Sequence, residues 1–157
     1  MHRLYSLLTL LLFGFIGCGK PVPTVDPTKP GVEKPHEHGA SGPSGGVLAT
    51  WGKEEYHAEF VVDHPTGEAT VFILDGTAKK VTAIDAKSIT LALKETPPIA
   101  VTLNAQPQEG DPAGTSSRYV GKHAVLKTVK EFSGSISGKT GGKNYTGDFE
   151  EKPDVKK

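Results

Sequence analysis

The stretch GGVLATWGKEEYHAEFVVDHPTGEATVFILDG, residues 45–76, decides the fold of this chain. It contains two runs rich in aromatic and β-branched residues, 56–62 and 68–75, and each run predicts a β-strand. Between them, Pro65 and Gly67 supply the fixed and the permissive backbone angles that a chain reversal requires. The stretch therefore predicts an antiparallel hairpin.

Residues of alternating polarity in the first run indicate which face of the hairpin is buried. His57 and Glu59 share one face at a spacing of two, and we expect it to be the exposed polar face of a half-buried strand. The second run has four consecutive apolar residues, 71–74, which favours a strand covered on both sides. The predicted buried face of the first run carries Tyr56, Ala58, Phe60 and Val62.

Similar short runs recur along the rest of the chain, and clusters of Gly, Pro, Asn and Asp separate nearly all of them. We predict an all-β fold, a single antiparallel Ig-like β-sandwich of about seven to nine short strands. Residues 123–131 are helix-like, and we expect one or two turns there. The predicted strands are 47–51, 56–62, 68–75, 80–84, 88–94, 99–105, 117–120, 134–138 and 144–150.

Charge and cysteine content exclude several function classes. The 157 residues contain 18 Lys plus Arg and 18 Asp plus Glu, so no net positive field favours a nucleic acid as partner. The single cysteine, Cys18, excludes an intrachain disulfide and a Cys-rich zinc site. The 19 glycines and 12 prolines are typical of a turn-rich β protein that carries a flexible segment.

An apolar run near the start of the chain predicts export. His2 and Arg3 precede the mostly apolar residues 7–16, which have the length of a signal-peptide core and are too short to span a bilayer. The tetrapeptide FIGC that ends at Cys18 resembles the bacterial lipobox, at which a diacylglyceryl group is attached to the cysteine. This pattern predicts a lipoprotein signal peptide over residues 1–17.

The expected product is a lipid-anchored protein that begins at Cys18 and stays on the cell membrane or the outer membrane, on its periplasmic or surface side. The alternative is an ordinary secretory signal with an incidental cysteine. Residues 18–46 are rich in proline and glycine and predict a flexible tether, 47–150 the β-sandwich domain, and 151–157 a charged tail.

Several short motifs carry a resemblance to known families. HG at 38–39, GPSGG at 42–46, GKEEYHAE at 52–59 and ILDG at 73–76 together resemble a small domain of periplasmic adaptor (membrane fusion) proteins from heavy-metal efflux systems of the RND type. Ser44 stands where that family commonly has a second loop histidine. The resemblance implies a β domain with an accessory role in metal efflux.

The whole mature chain is also similar to small lipoproteins of planctomycete-type bacteria, which look like a free-standing version of this domain. The motifs that carry this similarity are ILDG, AKKV, IDAKSITL, GDPAG, SSRYV and GGKNYTGDFE. The chain lacks the long coiled-coil hairpin of an adaptor, so the resemblance does not extend to bridging a pump and a channel.

The tether contains the candidate metal ligands. His36 and His38 flank Glu37, and on an extended chain both imidazoles project to the same side, as ligands for copper or zinc would. A further ligand is expected from His57 or His64 near the hairpin. The competing interpretation is a solvated linker with incidental histidines.

No nucleophile stands at a recognisable spacing from a base, so we predict a non-enzymatic protein. The leading hypothesis is an anchored binding or accessory domain that handles Cu- or Zn-type metal and passes it to an efflux or other envelope protein. Two alternatives remain open: an envelope interaction module that docks through a sheet edge or hairpin without metal, and a carrier of a small apolar ligand.

Overall fold

The structure, a computed structural model, describes residues 41–152. Within them eight strands form one antiparallel sheet in the order β1-β2-β3-β6-β5-β4-β7-β8. This confirms the predicted all-β antiparallel fold and its number of strands. The strands are β1 (Val47–Trp51), β2 (Tyr56–Asp63), β3 (Glu68–Asp75), β4 (Ser88–Leu93), β5 (Ile99–Ala105), β6 (Arg118–Lys122), β7 (Phe132–Thr140) and β8 (Lys143–Glu151).

The predicted hairpin is formed by β2 and β3. Their pairing runs from Tyr56 opposite Asp75 to Asp63 opposite Glu68. At the turn, Gly67 has a φ of 69° and donates its N–H to the carbonyl of Asp63 over 2.8 Å. A residue with a Cβ is strained at this φ, so glycine suits the reversal.

The sheet curls until its two outermost strands, β1 and β8, face each other. A Cβ at Gly147 on β8 would lie 2.4 Å from the carbonyl oxygen of Thr50 on β1, so the two backbones are in contact there. The rings of Trp51 and Tyr145 stack with centroids 5.7 Å apart across the same junction. The two layers of the predicted sandwich are therefore parts of one continuous, nearly closed sheet.

The interior between the layers is filled by aromatic and aliphatic side chains. Phe60 on β2 meets Phe149 on β8 with ring centroids 4.8 Å apart, and Phe60 is fully buried. Burial of apolar side chains in such contacts, between strands distant in the chain, stabilises the domain. The largest fully buried side chains are Trp51, Tyr119, Phe60, Phe132, Ile73, Leu74, Ile89, Leu91, Leu103, Leu126, Ile136 and Glu59.

The prediction of a strand at residues 80–84 is wrong. Val81 makes one isolated bridge to Leu74, and Ile84 makes another to Ser116, without a continuous ladder. The backbone of the segment pairs with the end of β3: the N–H of Asp75 donates to the carbonyl of Lys80 over 2.8 Å, and the N–H of Thr82 donates to the carbonyl of Ile73 over 2.9 Å. Val81 is 47% exposed whereas Ile84 is 3% exposed, so of the two only Ile84 packs in the core, and the segment is a connecting loop.

The helix-like segment 123–131 contains a single turn, the 3-10 helix Ala124–Lys127. The Nδ1 atom of His123 caps it by accepting the N–H of Val125 over 3.2 Å. Leu126 anchors the turn in the core. Within residues 41–152, the structure contains no helix with the length and apolar character needed to cross a membrane.

Candidate functional site at the tether junction

The last residues of the predicted tether, 41–46, are folded against the domain, and we call them the junction turn. Ser41 forms a bridge with Val47, the first residue of β1. The N–H of Gly42 donates to the carbonyl of Gly46 over 2.9 Å, and the N–H of Gly45 donates to the carbonyl of Gly42 over 3.0 Å. The junction turn is thus held by hydrogen bonds of its own backbone and by its bridge to β1.

Beneath the junction turn lies the carboxylate of Glu59, which is 0% exposed. Its Oε1 accepts the N–H of Ser44 over 2.7 Å and the N–H of Gly46 over 3.0 Å, while its Oε2 is buried without a hydrogen-bond partner. The prediction of an exposed polar face is therefore wrong at Glu59. The junction turn covers this face and supplies the polar partners that a buried carboxylate requires.

Two glycines let the junction turn approach so closely. A Cβ at Gly42 would lie 2.4 Å from Cδ of Glu59, and a Cβ at Gly46 would lie 2.3 Å from the carbonyl oxygen of Phe60. Gly45 has a φ of 81°, a backbone angle that glycine adopts readily and that strains a residue with a Cβ. The clustered glycines of GPSGG are the sequence signal that could have indicated a close backbone approach. They do not indicate that Glu59 is the residue approached.

A pocket of about 320 Å³ lies beside the junction turn. Ser41 and Gly46 of the turn line one part of it, and Val62 of β2 and His64, the residue after β2, line another. Glu151 at the end of β8 adds a carboxylate side chain to the lining. The pocket therefore combines a histidine, a glutamate and a lysine, Lys152, at the point where the tether meets the domain.

A hydrogen bond to a backbone carbonyl determines which ring nitrogen of His64 carries the proton. Its Nδ1 lies 2.8 Å from the carbonyl oxygen of Leu126, and because a carbonyl only accepts, Nδ1 must carry the hydrogen. In the neutral ring this leaves the lone pair on Nε2. Metal-binding histidines commonly hold their second nitrogen in this way, and stacking against Phe132 at 6.1 Å further orients the ring.

His57 lies at the opposite end of β2. Its Nδ1 is 3.2 Å from the carbonyl oxygen of Asp75, so the same argument leaves its Nε2 unprotonated in the neutral ring. At about 3.3 Å per residue of strand, however, His57 and His64 are separated by about 20 Å. The two histidines therefore cannot bind one ion together, and of these two candidates the junction pocket contains only His64.

The remaining predicted site residues, Cys18, His36 and His38, lie outside the described residues. His38 precedes Ser41 by three residues, a distance that about 11 Å of extended chain would cover. Among residues 41–152 no three His, Cys, Asp or Glu side chains are grouped closely enough to hold a metal ion.

The titratable groups with clearly shifted pKa values lie elsewhere and serve the fold. Burial raises the pKa of the Tyr119 hydroxyl, which donates to the carbonyl of Ala86 over 2.9 Å. The hydroxyl of Thr140 and the N–H of Gly141 donate to Asp85 and hold the pKa of its carboxyl below the ordinary value. These hydrogen bonds fix loops to the sheet.

Comparisons of the chain with protein-family models, with characterised proteins and with solved structures give no match.

Proposed function

We propose that this chain is a membrane-anchored bacterial lipoprotein whose all-β domain binds a copper- or zinc-type metal ion at the tether junction. The domain is non-catalytic and acts as an accessory module in metal handling. The observation that carries the proposal is the position of His64 in the pocket that Ser41 also lines, with Nδ1 engaged by Leu126 and Nε2 left as a ligand atom.

Chain connectivity supports a site shared between the tether and the domain. The three residues from His38 to Ser41 allow the tether histidines to reach the junction pocket, whereas His57 stands about 20 Å further along the sheet. His36, His38 and His64 would supply three imidazole nitrogens, a set suited to Cu²⁺ or Zn²⁺. We therefore assign the domain-side ligand to His64.

Three protein ligands leave a coordination position open on a tetrahedral ion. An open position lets an incoming ligand from another protein bind before the first ligands leave, which is the step that a metal carrier needs. Glu151 and Lys152 both line the pocket, so its two charged lining residues have opposite signs and the metal affinity is assigned to the imidazoles. The proposed partner is an efflux or storage protein of the cell envelope.

The anchor in this proposal is Cys18. Two or three acyl chains on one residue bind a membrane far more firmly than one, since each buried methylene contributes about 0.8 kcal/mol. The domain would then present its junction pocket to partners at the membrane surface.

Calorimetric titration of residues 19–157 with Cu²⁺ and with Zn²⁺ tests the function. We expect sub-micromolar binding that is lost in the His36→Ala/His38→Ala double variant and weakened at least tenfold in His64→Ala. His57→Ala is the matched control and should bind as the wild type does, because it removes an imidazole at the far end of β2. Equal weakening by His57→Ala and His64→Ala would contradict the assignment.

Wild-type binding no tighter than about 100 µM, a free energy of only about −5.5 kcal/mol, would end the metal proposal and leave the interaction module as the function to test. Two observations favour metal binding over the other hypotheses. The outermost strands face each other at Thr50 and Gly147, so a partner strand has little room at that edge. The interior is occupied by buried rings such as Trp51 and Phe60, where an apolar ligand would need space.

A further inference from the structure

We propose that Glu59 is a positioning residue that latches the junction turn onto β2 and so determines where the tether leaves the domain. The latch itself is a property of the described residues alone. Its effect on metal affinity rests on the proposed function, and the two are tested by separate measurements below.

The burial of Glu59 requires the junction turn. Its direct cross-strand neighbours are Leu48 on β1 and Phe72 on β3, and neither side chain can donate a hydrogen bond. The N–H groups of Ser44 and Gly46, at 2.7 and 3.0 Å, supply the polar contacts to the carboxylate. Both N–H groups donate to the same side-chain oxygen, so one acceptor atom of Glu59 holds two points of the turn.

The turn and the carboxylate also match in shape. Gly42 lies so close that a Cβ would be 2.4 Å from Cδ of Glu59, with further atoms of the same side chain at 2.7 and 2.8 Å. The glutamate side chain thus fills the concave side of the turn. A residue with a Cβ at position 42 could be accommodated only if the turn moved away from Glu59.

The latch sets how many residues separate His38 from the first residue that is held on the domain beside the pocket. With the turn held, that residue is Ser41, three residues after His38. With the turn released, it is Val47, nine residues after His38. Since effective concentration falls roughly as the −3/2 power of linker length, a threefold longer connection would lower the encounter of His38 with His64 about fivefold.

Hydrogen exchange of the full chain, kept soluble in a mild detergent, tests the latch without metal. In Glu59→Ala the amides of Ser44 and Gly46 should exchange at least tenfold faster than in the wild type, while the amide of Phe60 within β2 stays protected. Glu59→Gln keeps an oxygen acceptor and should restore most of the protection. Glu109→Ala, a change at an exposed glutamate, is the matched control.

If Glu59→Ala does not fold, Gly42→Ala releases the turn while leaving the glutamate in place. Its control is Gly110→Ala, where an added Cβ meets nothing within 4 Å but the φ of 93° is strained for alanine, so it costs stability without touching the junction turn. Unchanged protection of Ser44 and Gly46 in either latch variant would overturn the proposal. So would equal loss of protection in the glutamine and alanine variants at Glu59, because the contact would then not act through the acceptor oxygen.

Titration with Cu²⁺ separates the latch from the proposed function. Glu59→Ala should bind about fivefold more weakly at unchanged stoichiometry. If the wild type binds no Cu²⁺ or Zn²⁺, the metal function is wrong, and hydrogen exchange still shows whether Glu59 holds the junction turn. If the released variant binds as tightly as the wild type, the metal function stands, and the inference that Glu59 positions the tether for binding is overturned.

Discussion

The indole N–H of Trp51 on β1 donates a hydrogen bond of 2.9 Å to the carbonyl oxygen of Ile136 on β7. In the sheet order β1 is the first strand and β7 is the last but one. The last strand, β8, pairs with β7 and closes against β1. Both residues are fully buried. The bond therefore joins the first strand to the penultimate one and holds the nearly closed sheet together.

Trp51→Phe should lower the free energy of unfolding by about 2–4 kcal/mol, because it leaves the Ile136 carbonyl without its donor and opens a cavity in the core. Urea denaturation followed by circular dichroism measures the change. Val129→Ala removes a side chain that is 66% exposed and should change the free energy by no more than about 0.5 kcal/mol. Equal effects of the two substitutions would contradict the role given to Trp51.

Gly147→Ala should disturb the contact between β8 and β1. The new Cβ would meet the Thr50 carbonyl oxygen at 2.4 Å and Cδ1 of Trp51 at 3.0 Å, so we expect a loss of about 1–3 kcal/mol and a changed near-ultraviolet signal from the indole. Gly141→Ala, which has open space but a φ of 56°, should lose stability without altering the indole signal. An unaltered signal in both variants would argue against close contact of the two edges.

Tyr119 should make the domain sensitive to alkali. Burial, helped by the negative charges of Asp111 and Asp85, raises the pKa of its hydroxyl well above the ordinary value of about 10. Above about pH 10 the unfolded chain releases the phenolic proton while the folded chain retains it, so the free energy of unfolding decreases as pH rises. Below pH 10 both states keep the proton and this dependence vanishes.

Tyr119→Phe should be less stable than the wild type at pH 7, since the Ala86 carbonyl loses its donor, by about 1–2 kcal/mol. Its free energy of unfolding should nevertheless fall less steeply between pH 10 and pH 12. In the wild type, the one proton that only the folded state keeps lowers the free energy of unfolding by about 1.4 kcal/mol per pH unit there. Urea midpoints measured across that range give both slopes. Parallel slopes would exclude Tyr119 as the titrating group.

Asp111 should contribute to sensitivity to acid. Burial alone would raise the pKa of its carboxyl, but hydrogen bonds from the N–H of Gln108 and from the N–H and hydroxyl of Ser117 lower that pKa below the ordinary value. The stabilisation is present above the unfolded pKa of about 3.9 and is lost as pH falls through the folded pKa.

Asp111→Asn should therefore unfold with a weaker dependence on pH below about pH 4 than the wild type. Thermal midpoints measured between pH 2 and pH 6 give the comparison. Glu109→Ala, at a neighbouring exposed position, should keep the wild-type dependence. A steeper fall in the Asp111 variant would contradict the sign of the shift.

Cys18→Ser should abolish membrane association, because it removes the thiol to which the proposed diacylglyceryl group is attached. Fractionation of cells into membrane and soluble parts, together with labelling by a fatty acid, measures the effect. The wild type should carry label and sediment with membranes, whereas the variant should carry none. Labelling of the serine variant would rule out this anchor.

Local patterns were sufficient to predict much of the fold. Alternation in β2 and the DHPTG turn predicted the hairpin, because strand periodicity and turn geometry depend on residues near one another in the chain. The same local reasoning failed at residues 80–84. There Val81 and Ile84 make only isolated bridges, to Leu74 and to Ser116, and no continuous ladder forms.

The sequence by itself determined the all-β class, the hairpin, the turn positions and the expectation of an exported, lipid-anchored chain. Only the tertiary structure decided that β1 closes against β8, that Glu59 is buried beneath the junction turn, and that His64 and not His57 lies in the junction pocket. Each of these depends on which distant segments become neighbours. Residue periodicity assigns a side chain to a face of a strand, but the segment that covers that face is chosen by long-range packing.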